Sequence, residues 1–359
     1  MQSVIYIGFN NPKKHKRGVE NVIEVQAESL SKDVRTFYLF FDDRSSVGHW
    51  GRIICIGVKK GPLRFIRMSA LIRSLLQNLR NRKTIIHSHN YLITALLYRR
   101  TNIFTVHDGL WELKKSWGSR LPWVFWFIER LAYMRSDHIH CNSYYTYASS
   151  QLQAMNRKSE IIYCSTPFET YARKYMMNIG RPSSCFTVLS VRSIEPRARI
   201  DLIIGVAKLA CERNLDVRFL VVGKGPLLSH YQSEVAKHRL SNVVFMGYLS
   251  DQEVVAQYNA CDCVLVTCEY GEGFGLPVIE GYYFGKPVIA SNRCAIPEVI
   301  CDMKYLVSNN IESIIECVGL IKSERQDKTS FVNYYYSRFS NEIIQDQFRK
   351  FYELVFSAS

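Results

Sequence analysis

No apolar run in this chain reaches the 18 or so residues that a membrane span requires. The candidate Leu121-Pro-Trp-Val-Phe-Trp-Phe-Ile128 is far too short. The opening residues, Met1-Gln-Ser-Val-Ile-Tyr-Ile-Gly8, lack a charged start and a small-residue cleavage site, and read as a first strand. Cysteine pairing is not signalled either: the 11 cysteines are odd in number, and Cys55, Cys141, Cys261 and Cys263 lie in apolar runs. The C-x-C pair Cys261 and Cys263 has no second pair at zinc spacing, so reduced core thiols in a cytosolic protein are expected. There is no internal repeat, no low-complexity tract and no recognisable DNA- or RNA-binding motif. The sharpest deficit is of negative charge. Between Arg44 and His107 stand 12 basic residues and no acidic one.

That deficit makes a net charge of +14 uneven, with 18 Lys and Arg against 6 Asp and Glu over residues 1–107. Within it, Lys59-Lys-Gly-Pro-Leu-Arg-Phe-Ile-Arg67 mixes cations with apolar groups, and Phe65, Ile66 and Met68 suit shallow insertion into lipid. An anionic membrane surface is the expected partner, and the expected location is the cytoplasm, peripheral on the inner face of the membrane. A solvated basic face is the plain alternative; nucleic acid is not expected.

At 359 residues, with 47% hydrophobic and 22% charged content, the chain suits two globular domains. Short apolar runs alternate with amphipathic ones, the pattern of parallel α/β architecture. Strands are expected at Val4–Gly8, Arg35–Phe41, Thr84–His87, Ile103–Val106 and His138–Cys141, and again from Phe186 onward. Residues 166–184 lose periodicity, contain Pro167, Gly180 and Pro182, and read as a linker. Residues 1–165 and 185–340 would be the two domains, and a helix is expected from Asn341.

The densest local signal is Glu272-Gly-Phe-Gly-Leu-Pro-Val-Ile-Glu280. Before it, Cys263-Val-Leu-Val-Thr-Cys268 reads as a buried parallel strand. Gly271, Gly273 and Gly275 permit a tight turn and close backbone approach to a ligand. Pro277 suits a first helical turn, and Gly285-Lys286-Pro287 marks the helix's end. Glu272 therefore belongs at a strand's carboxyl end and Glu280 about one turn inside the helix. There a carboxylate can accept hydroxyl hydrogen bonds while free helix N–H groups face an anion. A sugar nucleotide offers both groups together.

This stretch, continued by Lys286-Pro-Val-Ile-Ala-Ser291 and Ile296-Pro-Glu-Val-Ile300, resembles the Glu-x7-Glu motif of retaining family 4 glycosyltransferases. The resemblance implies the GT-B fold, two Rossmann-like parallel-sheet domains facing a cleft, with the C-terminal helix (about 341–359) returning to the N-terminal, acceptor-side domain. It assigns Glu272 to sugar hydroxyls and Glu280 to ribose hydroxyls, with Phe274, Gly275 and Leu276 offering backbone N–H groups near the sugar and β-phosphate. Gly223, in Val221-Val-Gly-Lys-Gly-Pro226, would wall the nucleotide site, and Met246 would lie beside the base. Registered on Ile200-Asp201, the family's phosphate-binding Arg and Lys fall on Ser193 and Ala198. Adjacent Arg192, Arg197 and Arg199 are the expected substitutes. Arg17 and Gly18 occupy the place of a loop beside donor phosphate and acceptor. In Phe104-Thr-Val-His-Asp108, His107 resembles the strand-end histidine facing the transferred sugar, whereas His87 and His89 read as structural.

No Asp-x-Asp motif fits a metal-bridged diphosphate, so no metal or other cofactor is expected. The implied reaction is retaining transfer of a sugar from a UDP- or GDP-linked donor to a glycan or lipid-linked hydroxyl, in cell-surface polysaccharide or lipopolysaccharide synthesis. The alternatives are a non-catalytic nucleotide-sugar-binding protein and a basic nucleic-acid-binding protein.

Overall fold

The computed structural model describes residues 1–14, 18–97, 101–109, 121–157, 159–175, 185–324 and 326–358. They form two compact units, Met1–Ser165 with Asn341–Ser359, and Thr166–Ser340.

The first unit holds β1 (Gln2–Ile7), β2 (Arg35–Asp42), β3 (Ser46–Trp50), β4 (Ile53–Lys59), β5 (Lys83–Ser88), β6 (Thr101–Val106), β7 (Ser136–Cys141) and β8 (Ser159–Ile161). They lie in the order β3-β4-β2-β1-β5-β6-β7-β8, parallel except for β3. The chain moves outward from β1 in one direction, then crosses to the other side at β5. Its helices are α1 (Gly18–Ser29), α2 (Arg64–Asn78), α3 (Tyr91–Leu96), α4 (Pro122–Met134) and α5 (Tyr144–Ser149). Ile23 and Val25 of α1 pack with Phe348, Tyr352 and Phe356 of the C-terminal helix (Asn341–Ala358) in one core cluster. Met68 and Ile72 of α2 join a second cluster with Ile5, Leu39 and Ile86. Met68 is thus fully buried and unavailable for lipid insertion, because the helical phase that exposes Ile66 turns Met68 inward. The β3–β4 hairpin was not expected; it turns at Gly51 (φ +56°) and Arg52, and β3 is too exposed to show an apolar alternation.

The second unit carries a parallel sheet of β9 (Phe186–Val191), β10 (Val217–Val222), β11 (Val243–Gly247), β12 (Cys263–Val266), β13 (Val288–Ser291) and β14 (Leu306–Val307). Its helices are α6 (Phe168–Tyr175), α7 (Ile200–Glu212), α8 (Leu228–Lys237), α9 (Asp251–Ala260), α10 (Leu276–Tyr283), α11 (Ile296–Val299), α12 (Ile311–Ser323) and α13 (Lys328–Arg338). The order β11-β10-β9-β12-β13-β14 is the doubly wound arrangement, with its switch point between β9 and β12. The stretch read as a linker opens instead with α6. Phe168 anchors it against the rings of Tyr258 and Phe284, and its remainder, 176–184, lies outside the described residues.

Candidate functional site

The carboxyl ends of β9 and β12 flank the second unit's switch point, and each delivers one charged side chain. The turn after β12 runs through Gly271 and reaches Gly275, which adopts φ +95° and opens α10, with Pro277 in the first turn. Glu272 braces this loop at both levels. Its carbonyl accepts from Ala295 N at 3.2 Å, and its Oε1 accepts from Gly275 N at 3.0 Å. Arg192, at the end of β9, donates from Nη2 to Glu272 Oε2 at 2.6 Å, with the two side chains 5% and 15% exposed. Arg192 Nη1 is also buried, and has no hydrogen-bond partner among the described residues.

The pair stays ionised. Burial pushes the Glu272 carboxyl up, but the charges of Arg192 and Arg197, with hydrogen bonds from Arg192 and Gly275, hold it below the usual carboxylate value. The site therefore presents a fixed anion and a buried cation whose Nη1 group is unengaged among the described residues.

Two glycines explain how Arg192 is held. A Cβ at Gly223 (φ +143°) would lie 1.8 Å from the Arg192 carbonyl oxygen, and one at Gly225 would lie 2.1 Å from that of Ile194. The turn after β10 therefore packs directly on the Arg192–Ile194 backbone, and Ile194 N donates to Lys224 O at 3.0 Å. Gly223 thus acts through the backbone of β9. Met246 is half-buried in β11, and the neighbouring Tyr248 is exposed with Lys224 Nζ 5.6 Å from its ring centre.

The other two arginines are engaged differently. Arg197 donates to Glu195 Oε2 at 3.2 Å and to the Gly271 carbonyl. Arg199, in the left-handed region at φ +50°, pairs with Asp201 at 2.9 Å and with Glu269 at 2.5 Å. Glu269, which sequence reading did not single out, also accepts from Asn309 at 2.9 Å. Ala198 is buried, with its carbonyl accepting from Thr267 Oγ1 at 2.6 Å.

Glu280 is buried on α10, and Oε2 accepts from the Tyr258 hydroxyl at 2.6 Å. Tyr258, also missed, stacks on Phe284 with ring centres 5.1 Å apart. Phe274 is buried, its ring edge-on to Phe339 at 5.9 Å, so its side chain is core. The Gly275 N–H is already given to Glu272, and Leu276 opens α10 half-buried.

In the first unit, Gly18 opens α1, while Arg17 lies outside the described residues. Glu20 of α1 is buried and accepts from Asn10 N at 3.2 Å, tying down the segment after β1. His107 follows β6, and its Nε2 lies 2.8 Å from Nδ1 of His89, which follows β5. His89 in turn stacks on His87 at 4.6 Å. His87 belongs to a hydrogen-bonded chain whose polarity is fixed by its last member. The Ile162 carbonyl only accepts, so His140 Nε2–H donates to it at 2.9 Å and His140 Nδ1 accepts from the Thr105 hydroxyl at 3.0 Å. Thr105 Oγ1 then accepts from His87 Nε2–H at 2.7 Å, and His87 Nδ1 from the Tyr352 hydroxyl at 2.8 Å. Tyr352 accepts from Tyr6 at 2.9 Å. The assignment requires neutral rings. Burial pushes His107 down to about 3 and His140 to about 4, and holds His87 and His89 well below the ordinary histidine value.

Two doubly wound parallel-sheet units are the GT-B architecture. The family model "Glycosyltransferase Family 4" matches residues 16–169 and "Glycosyl transferases group 1" matches 173–338, and the chain belongs to this glycosyltransferase family. An uncharacterized glycosyltransferase, MJ1178, of Methanocaldococcus jannaschii is 28% identical over 228 residues, 61% of this chain and 58% of that protein. The Mycobacterium tuberculosis GDP-mannose-dependent alpha-(1-6)-phosphatidylinositol dimannoside mannosyltransferase is 29% identical over 132 residues, 36% of this chain and 33% of its own length. The crystal structure of Anabaena HepE, in complex with UDP and glucose, superimposes with a TM-score of 0.74 at 16% identity, covering 98% of this chain and 100% of that one.

Proposed function

We propose that the chain is a retaining hexosyltransferase that moves a sugar from a UDP- or GDP-linked donor to a hydroxyl of a glycan or lipid-linked acceptor, in cell-surface polysaccharide synthesis. The carrying observation is the buried Arg192–Glu272 pair at the switch point, where open α/β sheets bind ligands. Glu272 supplies an anion for sugar hydroxyls. Arg192 Nη1 supplies the unused donor for the diphosphate, whose charge grows as it departs. Glu280, with Tyr258, takes the ribose hydroxyls, and His107 takes a substrate oxygen. The donor classes are supported by the GDP-mannose in the mycobacterial relative's name and by the UDP bound to HepE. The reaction is read as metal-independent because arginines answer the phosphate charge in a chain without an Asp-x-Asp motif.

A thermal-shift screen over nucleoside diphosphates and nucleotide sugars is the direct test, because a tight ligand stabilises by mass action. Hydrolysis of the best donor without acceptor should then disappear in Glu272→Ala. Saturable stabilisation with no turnover in any acceptor screen would mark a binding protein instead. Glu280→Ala should weaken nucleotide-sugar binding by about 1.5–3 kcal/mol, as for a lost hydrogen bond to a charged acceptor. Unchanged affinity in calorimetry would sink that role.

Attachment to an anionic membrane surface belongs to the same reading. Among the described residues no helix is long and apolar enough to cross a membrane. On α4, however, Trp123, Trp126 and Phe127 are 64%, 41% and 57% exposed, and their spacing with Arg130 places them on one stripe. Arg130 lies 4.9 Å from the Trp126 ring centre. The stripe that should be polar is aromatic, a surface suited to the lipid interface. Leu63 and Ile66 add exposed apolar groups beside Lys59, Lys60 and Arg67. Sedimentation with vesicles should rise with anionic lipid and fall with salt. Trp123→Ser with Phe127→Ser should weaken it, and equal partitioning onto neutral vesicles would leave the attachment unsupported.

A further inference from the structure

His89 is 1% exposed, and among the described residues its ring makes one hydrogen bond, Nδ1 to His107 Nε2 at 2.8 Å. Its Nε2 is buried without a hydrogen-bond partner among the described residues. Its ring plane is held independently of that bond: it stacks on His87 at 4.6 Å, and its backbone N–H donates to Ile7 O at 2.8 Å. His87 cannot turn, because the chain from Tyr6 to Ile162 uses both its ring nitrogens.

Two neutral imidazoles joined this way have two arrangements. If His107 Nε2–H donated, His89 Nδ1 would accept and its single proton would sit on Nε2, leaving a buried N–H with no acceptor. If His89 Nδ1–H donates, the unpartnered Nε2 is only a lone pair. Buried orphan N–H groups are rare, whereas under-satisfied acceptors are tolerated more readily. The second arrangement prevails. It also places the His107 proton on Nδ1, a nitrogen that makes no hydrogen bond among the described residues.

We infer that His89 is a positioning residue that locks His107 as the neutral Nδ1–H tautomer, so that His107 offers the substrate a hydrogen-bond donor and cannot act as a general base. Nδ1 already carries its proton and Nε2 is occupied by His89, so no basic nitrogen faces a reacting hydroxyl. The partner atom is an acceptor, a hydroxyl, ring or phosphate oxygen. This inference rests on the reading of His107 as a substrate-contacting residue.

The test is the ¹⁵N spectrum of the whole ligand-free protein labelled in histidine, together with hydrolysis of UDP-glucose. His107 is expected to show a protonated Nδ1 and an unprotonated Nε2. His89→Phe keeps a ring in the stack but removes the donor. It should mix the tautomers and lower kcat about tenfold or more. His89→Asn, which restores an N–H near the Nδ1 position, should return His107 to one tautomer and recover turnover relative to His89→Phe. A proton found on His107 Nε2 in the wild-type protein, or a His107 spectrum unchanged in His89→Phe, overturns the inference. If His89→Phe does not fold, the wild-type and His89→Asn spectra still decide it. Full turnover in His107→Phe with the expected wild-type spectrum would show instead that the substrate-contact reading has failed, and with it the positioning role.

Discussion

Arg192→Met is expected to lower nucleotide-sugar turnover about 10²–10³-fold, the scale of losing a charge partner in a transition state. The same change should destabilise the second unit by about 3–5 kcal/mol, because Glu272 would remain buried without its cation. The two effects have separate origins and can be separated. Arg192→Met combined with Glu272→Gln removes both charges and should restore most of the stability, yet turnover should stay low. Urea unfolding and donor hydrolysis on the single and double variants give both readouts. Near-normal turnover in the single variant would mean that the diphosphate is held elsewhere. Unchanged stability would mean that Glu272 finds water or another partner once Arg192 is gone. Arg197→Ala and Arg199→Ala should do less, since Arg199 is tied to Asp201 and Glu269, and Arg197 to Glu195 and the Gly271 carbonyl.

The difference among these arginines shows where sequence stops being informative. The strand–glycine–proline–helix order around Glu272 and Glu280 was legible because each step is local: an apolar β-branched run, a left-handed glycine, a proline in a first turn. The starts of β9 at Phe186 and of the C-terminal helix at Asn341 followed from periodicity for the same reason. The arginine register was not legible. Pro196–Ala198 forms a 3-10 turn and Arg199 a left-handed residue, so a count of residues from Asp201 does not say which side chain points inward. Glu280 was legible as a carboxylate but not as the partner of Tyr258, because that pairing joins residues 22 positions apart on two helices. His89 was read as structural on the same grounds. Nothing in Ile86-His-Ser-His-Asn90 reveals that the strand order sets β6 beside β5 and brings His107 to 2.8 Å. Local chemistry wrote the motif, and sheet topology wrote the partners.

Acid is expected to unfold the first unit more steeply than its few acidic residues would suggest. His87, His89, His107 and His140 are held neutral, chiefly by burial, with His107 pushed down to about 3 and His140 to about 4. In the unfolded chain all four titrate near 6.5. Between the folded and unfolded values the unfolded state binds more protons. Stability is therefore fully present above about pH 6.5, and is lost as the pH falls from there toward about 4. His107 and His140 each contribute about 1.4 kcal/mol per pH unit in that window, and together remove roughly 3–4 kcal/mol between pH 6.5 and 5. That is a large share of a typical domain stability of about 5–15 kcal/mol. The lowered Asp42 carboxyl, at about 2, adds its own loss only at lower pH, below about 4. Hydrogen exchange of the β1 and β6 amides at pH 7, 6 and 5 reads this unit by itself. His140→Gln, neutral throughout, should flatten the slope by about 1.4 kcal/mol per pH unit relative to the wild-type protein. Equal slopes in the two proteins, or stability that does not change between pH 7 and 5, would show that His140 takes up its proton in the folded state at an ordinary pH.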